Sequence, residues 1–162
     1  MSIMFPMITS LRELQDAKAV LEECRAELTA EGVKMGQNIE VGTMIETPAA
    51  VLIADELAAE CDFFSIGTND LTQYTCALDR QNAKAGGPSS SPHHPAVLRA
   101  IKMTIEAGHR HGIWVGICGE LGADTGPDRD LPAHGRGRAV HERQEHPAGA
   151  QDHPQRRPEQ AL

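Results

Sequence analysis

Short apolar runs alternate with longer stretches of helical periodicity over most of this chain. Apolar runs bounded by turn residues predict buried strands at 3–8, 39–45, 63–66 and 113–117. Apolar residues at three- and four-residue spacing predict helices at 11–31, 48–61, 71–77 and 95–111. The alternation predicts an α/β domain of about four consecutive β/α units, as in half of a (β/α)8 TIM barrel or in an open parallel sheet.

Residues at the predicted helix starts support these boundaries. Ser10 and Glu13 have the spacing of a capping box. Thr47 and Pro48 have the pattern of an N-cap followed by the first helical residue. Segment 81–94 is rich in glycine, serine and proline and is expected to be a loop. Each of the first three predicted strands therefore ends in a polar segment that leads to a helix.

Polar side chains follow three of the predicted strands directly. Glu46 follows the second strand, Asn69 and Asp70 follow the third, and Cys118 follows the fourth. The carboxyl ends of neighbouring parallel strands lie side by side, and α/β proteins bind their ligands there. Carboxylate oxygens are the ligands that Mg²⁺ prefers. Glu46 and Asp70 are therefore predicted to share one cation.

Each of these residues also has a structural explanation. Asn69 and Asp70 are residue types that often cap helices. Glu46, considered by itself, is equally consistent with a solvated carboxylate in a loop. A free cysteine is more often a small buried apolar residue than a catalyst. The spacing of Arg80 favours an ordinary surface arginine over a phosphate ligand. The matched positions of Glu46 and Asp70 nevertheless favour the metal site.

Charge and cysteine content narrow the classes of function. The 162 residues carry a formal net charge of −8, which argues against a nucleic-acid or membrane surface as the main function. No apolar run is long enough to span a bilayer, and the first residues lack the pattern of a signal peptide. The four cysteines include no Cys-x-x-Cys pair, which is typical of a reduced cytoplasmic protein without zinc or disulfides.

The composition changes near Thr125. Glycine, proline, arginine, histidine, glutamine and glutamate dominate residues 125–162, and the periodicity is lost. This tail has too few apolar residues to fold and is expected to be disordered, so the predicted regions are a barrel part at 1–124 and a tail at 125–162. Suppose that the reading frame of the gene is shifted forward by one nucleotide between Arg136 and Arg157. With codons that the genetic code permits, the shifted frame encodes a sequence with the pattern of a strand followed by a helix. We hypothesise that the tail is an out-of-frame β/α segment.

Five motifs resemble those of the phosphoenolpyruvate-utilising enzymes. They are Ile45-Glu46-Thr47-Pro48-Ala49-Ala50, Phe64-Ser65-Ile66-Gly67-Thr68-Asn69-Asp70-Leu71-Thr72-Gln73-Tyr74, Asp79-Arg80, His94-Pro95-Ala96-Val97-Leu98 and Cys118-Gly119-Glu120. The resemblance covers residues 3–124, and the run from Ser65 to Gln73 is highly specific. The second, third and fourth motifs favour the phosphoenolpyruvate–protein phosphotransferases, the enzymes I of the sugar phosphotransferase system, over the similar pyruvate phosphate dikinases and phosphoenolpyruvate synthases.

The resemblance implies a (β/α)8 barrel that binds Mg²⁺ and phosphoenolpyruvate. Glu46 and Asp70 match the two metal-binding carboxylates, and Asp70 and Asn69 match positions in contact with the substrate. Arg80 matches an arginine that holds the phosphoryl group. Cys118 matches the residue that protonates the methylene carbon when enolpyruvate becomes pyruvate. The full-length enzyme is expected to be a cytoplasmic homodimer that phosphorylates the phosphocarrier protein HPr and so starts sugar uptake.

The sequence also departs from the family. It lacks the glycine-rich segment whose histidine accepts the phosphoryl group, and it lacks the arginines of the early strands. We therefore expect a truncated piece of the substrate-binding domain that is inactive by itself. Two alternatives stay open. One is a piece of a dikinase or synthase, where the final acceptor is a nucleotide; the other is a non-catalytic half-barrel that serves in binding or dimerisation.

Overall fold

A parallel four-stranded sheet forms the centre of the protein. The computed structural model describes residues 1–79, 91 and 93–119. The strands are β1 (Ser2–Phe5), β2 (Glu40–Ile45), β3 (Phe63–Gly67) and β4 (Trp114–Cys118). They are hydrogen-bonded in the order β1-β2-β3-β4, and each neighbouring pair is parallel. Every connection between described strands is therefore a crossover from one end of the sheet to the other.

Helices occupy these crossovers. In the described ranges, α1 (Leu11–Ala30) joins β1 to β2, and α2 (Pro48–Leu52) and α3 (Ala54–Ala58) join β2 to β3. The third crossover contains α4 (Thr68–Thr75) and α5 (Pro95–Arg110). Crossovers of one hand between consecutive strands place all helices on one face of the sheet. The predicted α/β class with repeated β/α units is confirmed.

The hydrophobic core lies between the sheet and the helices. Ile45, Phe64 and Ile66 face the helices and are fully buried. The helices contribute to the same cluster with Leu14, Leu57, Leu71, Val97, Ile101 and Ala107. Alternate residues of a strand point to opposite faces. The other face, called here the helix-free face, is formed by Met4, Glu40, Gly42, Met44, Phe63, Ser65, Gly67, Trp114, Gly116 and Cys118.

Three boundaries differ from the sequence prediction. The first strand ends at Phe5 rather than at residue 8, and Met7 beyond it has a left-handed backbone with φ 55°. The helix predicted at 48–61 is broken into α2 and α3 at Ile53, whose φ of −110° and ψ of 25° are not helical. The helix predicted at 71–77 begins earlier, so that Asn69 and Asp70 lie in the first turn of α4 rather than in a loop.

The predicted helix caps are confirmed. Ser10 Oγ accepts a hydrogen bond from the Glu13 N–H at 3.3 Å, and Glu13 Oε2 accepts one from the Ser10 N–H at 3.1 Å. Thr47 Oγ1 accepts from the Ala50 N–H at 3.1 Å, and Pro48 is the first helical residue. Short local signals therefore fix where the helices after β1 and β2 begin, and with them the loops at the carboxyl edge of the sheet.

Part of the sequence prediction lies outside the described residues. This holds for most of the predicted loop at 81–94, for the boundary between residues 124 and 125, and for the whole of 125–162. All four cysteines fall within the described part and are free thiols. Across residues 1–79 and 93–119, no helix has the length and apolar character needed to cross a membrane.

Candidate functional site

The carboxyl ends of β2, β3 and β4 lie side by side. Ile45 of β2 pairs with Ile66 of β3, and Gly67 of β3 pairs with Cys118 of β4. The next residues along the chain therefore leave the sheet at one edge. This edge carries four of the five side chains that the sequence singled out, namely Glu46, Asn69, Asp70 and Cys118.

Glu46 is a carboxylate in an enclosed position, with only 3% of its surface exposed. Its Oε1 accepts a hydrogen bond from the backbone N–H of Met7 at 2.7 Å. Burial raises the pKa of Glu46, the Met7 hydrogen bond opposes that rise, and the nearby charge of Asp70 and a hydrogen bond with its side chain raise the pKa further. The structure thus brings Glu46 and Asp70 close enough for their carboxyl groups to interact.

Gly67 makes room for the Glu46 side chain. A Cβ atom on Gly67 would lie 2.8 Å from Glu46 Oε2 and 2.9 Å from both Glu46 Cβ and Met44 Sδ. These separations are shorter than van der Waals contact, so any larger residue at position 67 displaces its neighbours. Gly67 therefore lets the end of β3 approach the carboxylate at the end of β2.

Asn69 and Asp70 are positioned by the start of α4. The N-cap of this helix is Gly67, so neither residue occupies the capping position that the structural explanation assigned to them. Gly119 lies opposite with φ 100°, and a Cβ atom there would lie 2.6 Å from Thr68 Oγ1 and 3.3 Å from Asn69 Oδ1. The segment after β4 therefore packs directly against the first turn of α4.

Cys118 is half-buried at the end of β4. The Ser65 hydroxyl donates a hydrogen bond to Sγ at 3.3 Å, and the thiol donates to the Ile66 carbonyl oxygen at 3.2 Å. The Thr68 hydroxyl donates to the Cys118 carbonyl oxygen at 3.1 Å. The side chain and backbone of this cysteine are thus both held by the end of β3 and the start of α4.

The carboxylate pair has the chemistry of an Mg²⁺ ligand set. Two carboxylates in contact repel each other unless they share a proton or a cation. Proteins often bind Mg²⁺ through one or two carboxylates, and water and substrate phosphate complete the octahedron. Glu46 and Asp70 fit this pattern. No group of three or more metal-ligating side chains occurs among the described residues, so the described chain offers a partial set of ligands.

Sequence reasoning did not identify every residue of this edge. Arg80, the fifth predicted site residue, lies outside the described residues. Met7, Ser65 and Gly67 were missed as supporting residues. Ser65 and Gly67 share one face of β3 by their two-residue spacing, which is a usable signal. The left-handed backbone of Met7 has no sequence signal, because that conformation is uncommon for any residue with a Cβ atom.

Comparison with known sequences identifies a family. Residues 1–128 match the family described as "PEP-utilising enzyme, PEP-binding domain". The chain is 51% identical over 124 residues to the phosphoenolpyruvate-protein phosphotransferase of Priestia megaterium, which covers 76% of this chain and 22% of that protein. It is 52% identical over 124 residues to the protein of the same name from Haemophilus influenzae, covering 76% and 21%. The chain thus spans about a fifth of the length of these relatives.

Comparison with solved structures supports the fold. A citrate lyase of Burkholderia xenovorans LB400 aligns with a TM-score of 0.56 and 24% identity, over 72% of this chain and 35% of that chain. An HpcH/Hpal aldolase/citrate lyase family protein of Burkholderia cenocepacia J2315 aligns with a TM-score of 0.53 and 20% identity, over 75% and 52%. Both are TIM-barrel-like proteins, so the likeness confirms the predicted partial (β/α)8 barrel.

Proposed function

Because this chain belongs to the phosphoenolpyruvate-utilising enzymes and matches their phosphoenolpyruvate-binding domain, we propose that it forms the part of a phosphoenolpyruvate–protein phosphotransferase that holds Mg²⁺ and phosphoenolpyruvate. The position of Glu46 and Asp70 side by side, after the carboxyl ends of the paired strands β2 and β3, carries the proposal. The relatives at about 50% identity are phosphoenolpyruvate-protein phosphotransferases, which favours this enzyme over a dikinase or a synthase.

Glu46 and Asp70 are the proposed metal ligands. Mg²⁺, when bound, would neutralise part of the negative charge of the phosphate and carboxylate groups of the substrate. Asp70 lies in the first turn of α4 and Glu46 directly after β2, so both ligands are attached to regular structure. Ligands supported in this way hold their geometry when the substrate arrives.

Asn69 and Arg80 are the proposed substrate contacts. An asparagine amide has both donors and an acceptor for the oxygen atoms of a small acid. An arginine guanidinium forms paired, charge-assisted hydrogen bonds with a phosphoryl group. The bond between phosphorus and the enol oxygen breaks, the phosphoryl group passes to a histidine elsewhere in the full-length enzyme, and enolpyruvate remains. Phosphoryl transfer depends mainly on such positioning and charge stabilisation.

Cys118 is the proposed proton donor to enolpyruvate. Its thiol proton would pass to the methylene carbon, which gives pyruvate and leaves a thiolate that water reprotonates. The Ser65 hydroxyl, already a donor to Sγ at 3.3 Å, would stabilise that thiolate. Cys118 and the two carboxylates lie at the carboxyl ends of three consecutive strands of the sheet, β4, β3 and β2.

The proposed enzyme also implies a partner protein, an oligomeric state and a cellular compartment. We propose that the phosphoryl group passes on to HPr, that the full-length enzyme is a homodimer, and that it acts in the cytoplasm. Four free cysteines support a reducing compartment. The chain alone is proposed to bind ligand without completing the transfer, because the segment with the acceptor histidine is not in the sequence.

Calorimetric titration tests the binding part of this proposal. Mg²⁺ and phosphoenolpyruvate are titrated together into the 162-residue chain, into Asp70→Asn and into the control Asp16→Asn, which changes an exposed carboxylate on α1. We expect binding by the unaltered chain and the control, and at least tenfold weaker binding by Asp70→Asn. Equal binding by all three proteins, or no binding by the folded unaltered chain, would contradict the proposed site.

The proton-donor role needs a complete enzyme. The Cys118→Ala change is introduced at the aligned position of a full-length relative. We expect phosphoenolpyruvate binding to stay nearly unchanged and pyruvate formation to be lost. Pyruvate formation at the unaltered rate would exclude this cysteine as the proton donor.

A further inference from the structure

The loop between β1 and α1 contains a residue in an unfavourable conformation. Met7 has φ 55°, a left-handed value that few residues with a Cβ atom adopt. The Met7 side chain is 46% exposed, so burial of that side chain does not account for the conformation. Its backbone N–H donates to Glu46 Oε1 at 2.7 Å. Strained residues of this kind persist where the surrounding structure requires them, and they cluster at functional sites.

Two buried hydroxyl groups of the β2 segment hold this loop in place. Thr43 Oγ1 donates to the Phe5 carbonyl oxygen at 2.9 Å, and Thr47 Oγ1 donates to the Ile8 carbonyl oxygen at 3.1 Å. These contacts lie before and after Met7 in sequence. The loop is therefore fixed to the same segment that carries Glu46, and the Met7 amide has a defined position relative to the carboxylate.

The two oxygens of Glu46 have different surroundings. Oε1 accepts from Met7, whereas Oε2 lies on the side of Gly67, 2.8 Å from the place of a Cβ atom there. We infer that the Met7 amide is a positioning group, which occupies Oε1 so that Glu46 binds Mg²⁺ through Oε2 alone. This inference rests on the proposed function, since it concerns the same metal site.

One-oxygen binding suits the metal. Mg²⁺ requires nearly octahedral angles at short distances, and a carboxylate that binds through both oxygens forms a four-membered ring with too small an angle. Hydrogen-bond partners that orient a ligand commonly control metal affinity by ten- to a hundredfold. A backbone donor is a robust partner for this role, because side-chain substitution does not remove it.

Chemical protein synthesis tests the inference in the full 162-residue chain. Residues 1–23 are made synthetically and ligated at Cys24, which is exposed in α1. One variant replaces the Met7 amide nitrogen by oxygen and so loses the N–H. The matched control makes the same amide-to-ester exchange at Thr9, whose N–H also donates to a carboxylate at 2.7 Å, but to Glu13. The control also weakens the Ile8 carbonyl as an acceptor, so it disturbs the same loop.

The measured quantity is the affinity for Mn²⁺ as a spectroscopic substitute for Mg²⁺, followed by electron paramagnetic resonance without substrate. We expect the Met7 ester to bind Mn²⁺ at least tenfold more weakly. The Thr9 ester should lose much less affinity, because it keeps the Met7 N–H and only weakens the Ile8 acceptor.

The outcomes separate this inference from the proposed function. If the unaltered chain binds Mn²⁺ and the Met7 ester binds it equally well, the positioning role is wrong and the metal site stands. Equal losses in both esters would also overturn the role, since they would reflect general damage to the loop. Absence of Mn²⁺ binding by the folded unaltered chain would overturn the metal site itself, and the positioning role with it.

Discussion

The two ends of the helix-free face use similar residues in different ways. At the amino end, the rings of Phe63 and Trp114 stack in parallel with centroids 4.4 Å apart, and Glu40 accepts hydrogen bonds from Trp114 Nε1 at 3.2 Å and Ser2 Oγ at 3.3 Å. Glu40 is exposed and meets neutral donors. Glu46, at the carboxyl end of the same strand, is buried beside another carboxylate.

The two glutamates differ in what their surroundings do to the stability of the ligand-free protein. Each contact of Glu40 is favourable without any added ligand. Glu46 is held in a position where burial and a like charge disfavour its ionised form. A cation would remove that penalty, so the carboxyl end gains most from a ligand. The buried carboxylate pair therefore lowers the stability of the metal-free protein, and a bound cation would remove that cost.

The largest effects are expected when a glycine at either end of the helix-free face is replaced by alanine. Gly67→Ala places Cβ 2.8 Å from Glu46 Oε2, so the carboxylate must move, and we expect metal affinity to fall about a hundredfold. Gly42→Ala places Cβ 2.5 Å from the Phe63 carbonyl oxygen, and we expect a loss of roughly 1–3 kcal/mol in the free energy of unfolding. Calorimetry and urea unfolding measure the two quantities.

Gly67→Ala should act mainly on metal affinity, and Gly42→Ala should act mainly on the free energy of unfolding. Gly36→Ala is the common control, because a Cβ atom there lies 3.7 Å from its nearest neighbour. If Gly42→Ala reduced metal affinity per folded molecule as strongly as Gly67→Ala, the two ends would not be separate in function.

The next effect concerns Glu46 and Glu40, the glutamates at the two ends of β2. Glu46→Gln removes a proposed metal ligand, and we expect Mn²⁺ affinity to fall more than tenfold, whereas Glu40→Gln should leave it unchanged. Without metal, Glu46→Gln should stabilise the fold at neutral pH. The raised pKa of Glu46 means that the folded state holds its proton more tightly than the unfolded state, so the unaltered protein loses stability as pH rises above about 4.3.

The sign of that pH effect gives a direct check. The stability difference between Glu46→Gln and the unaltered protein should be absent at the lowest pH, grow through the interval between the unfolded and folded pKa values, and stay constant above it. Urea unfolding at a series of pH values measures this difference. A difference that does not vary with pH would mean that the folded pKa of Glu46 is not raised.

A smaller effect should distinguish the cysteines of the two ends. Burial raises the pKa of Cys61, next to the amino end of β3, to about 11. At pH 8 only about one molecule in a thousand then carries its thiolate, so iodoacetamide should react with Cys61 only after unfolding. Cys118 should react in the folded protein and be protected by Mg²⁺ with phosphoenolpyruvate. Peptide mass mapping measures both, with exposed Cys24 as the reference.

Loss of the aromatic stack should have the smallest effect. Phe63→Leu keeps an apolar residue but removes the ring that faces Trp114, which should lower the free energy of unfolding by about 1 kcal/mol. The chain has a single tryptophan, so fluorescence reports on this end alone. Metal affinity should not change; a tenfold loss would show that the amino end also shapes the binding edge.

The sequence was sufficient for most of the sheet and for the placement of four candidate residues at its carboxyl edge. Strand runs such as Phe63–Gly67, helix signals such as Ser10 with Glu13, and polar residues directly after strands are local features that are visible in sequence. The sequence did not reveal the break at Ile53, the early start of α4 or the conformation of Met7. The Met7 amide meets a carboxylate 39 positions away, and a contact between such distant segments is not visible in a local sequence pattern.

The strand order has a consequence for how such a chain can form. Each described strand pairs with the one made before it, and none inserts between two earlier strands. A sheet of this kind can grow at one edge while the ribosome is still adding residues, without opening pairs that already exist. At each step the newest strand forms the edge to which the next strand adds, first β1, then β2, β3 and β4. The folding intermediates expected during translation are therefore shorter versions of the same sheet.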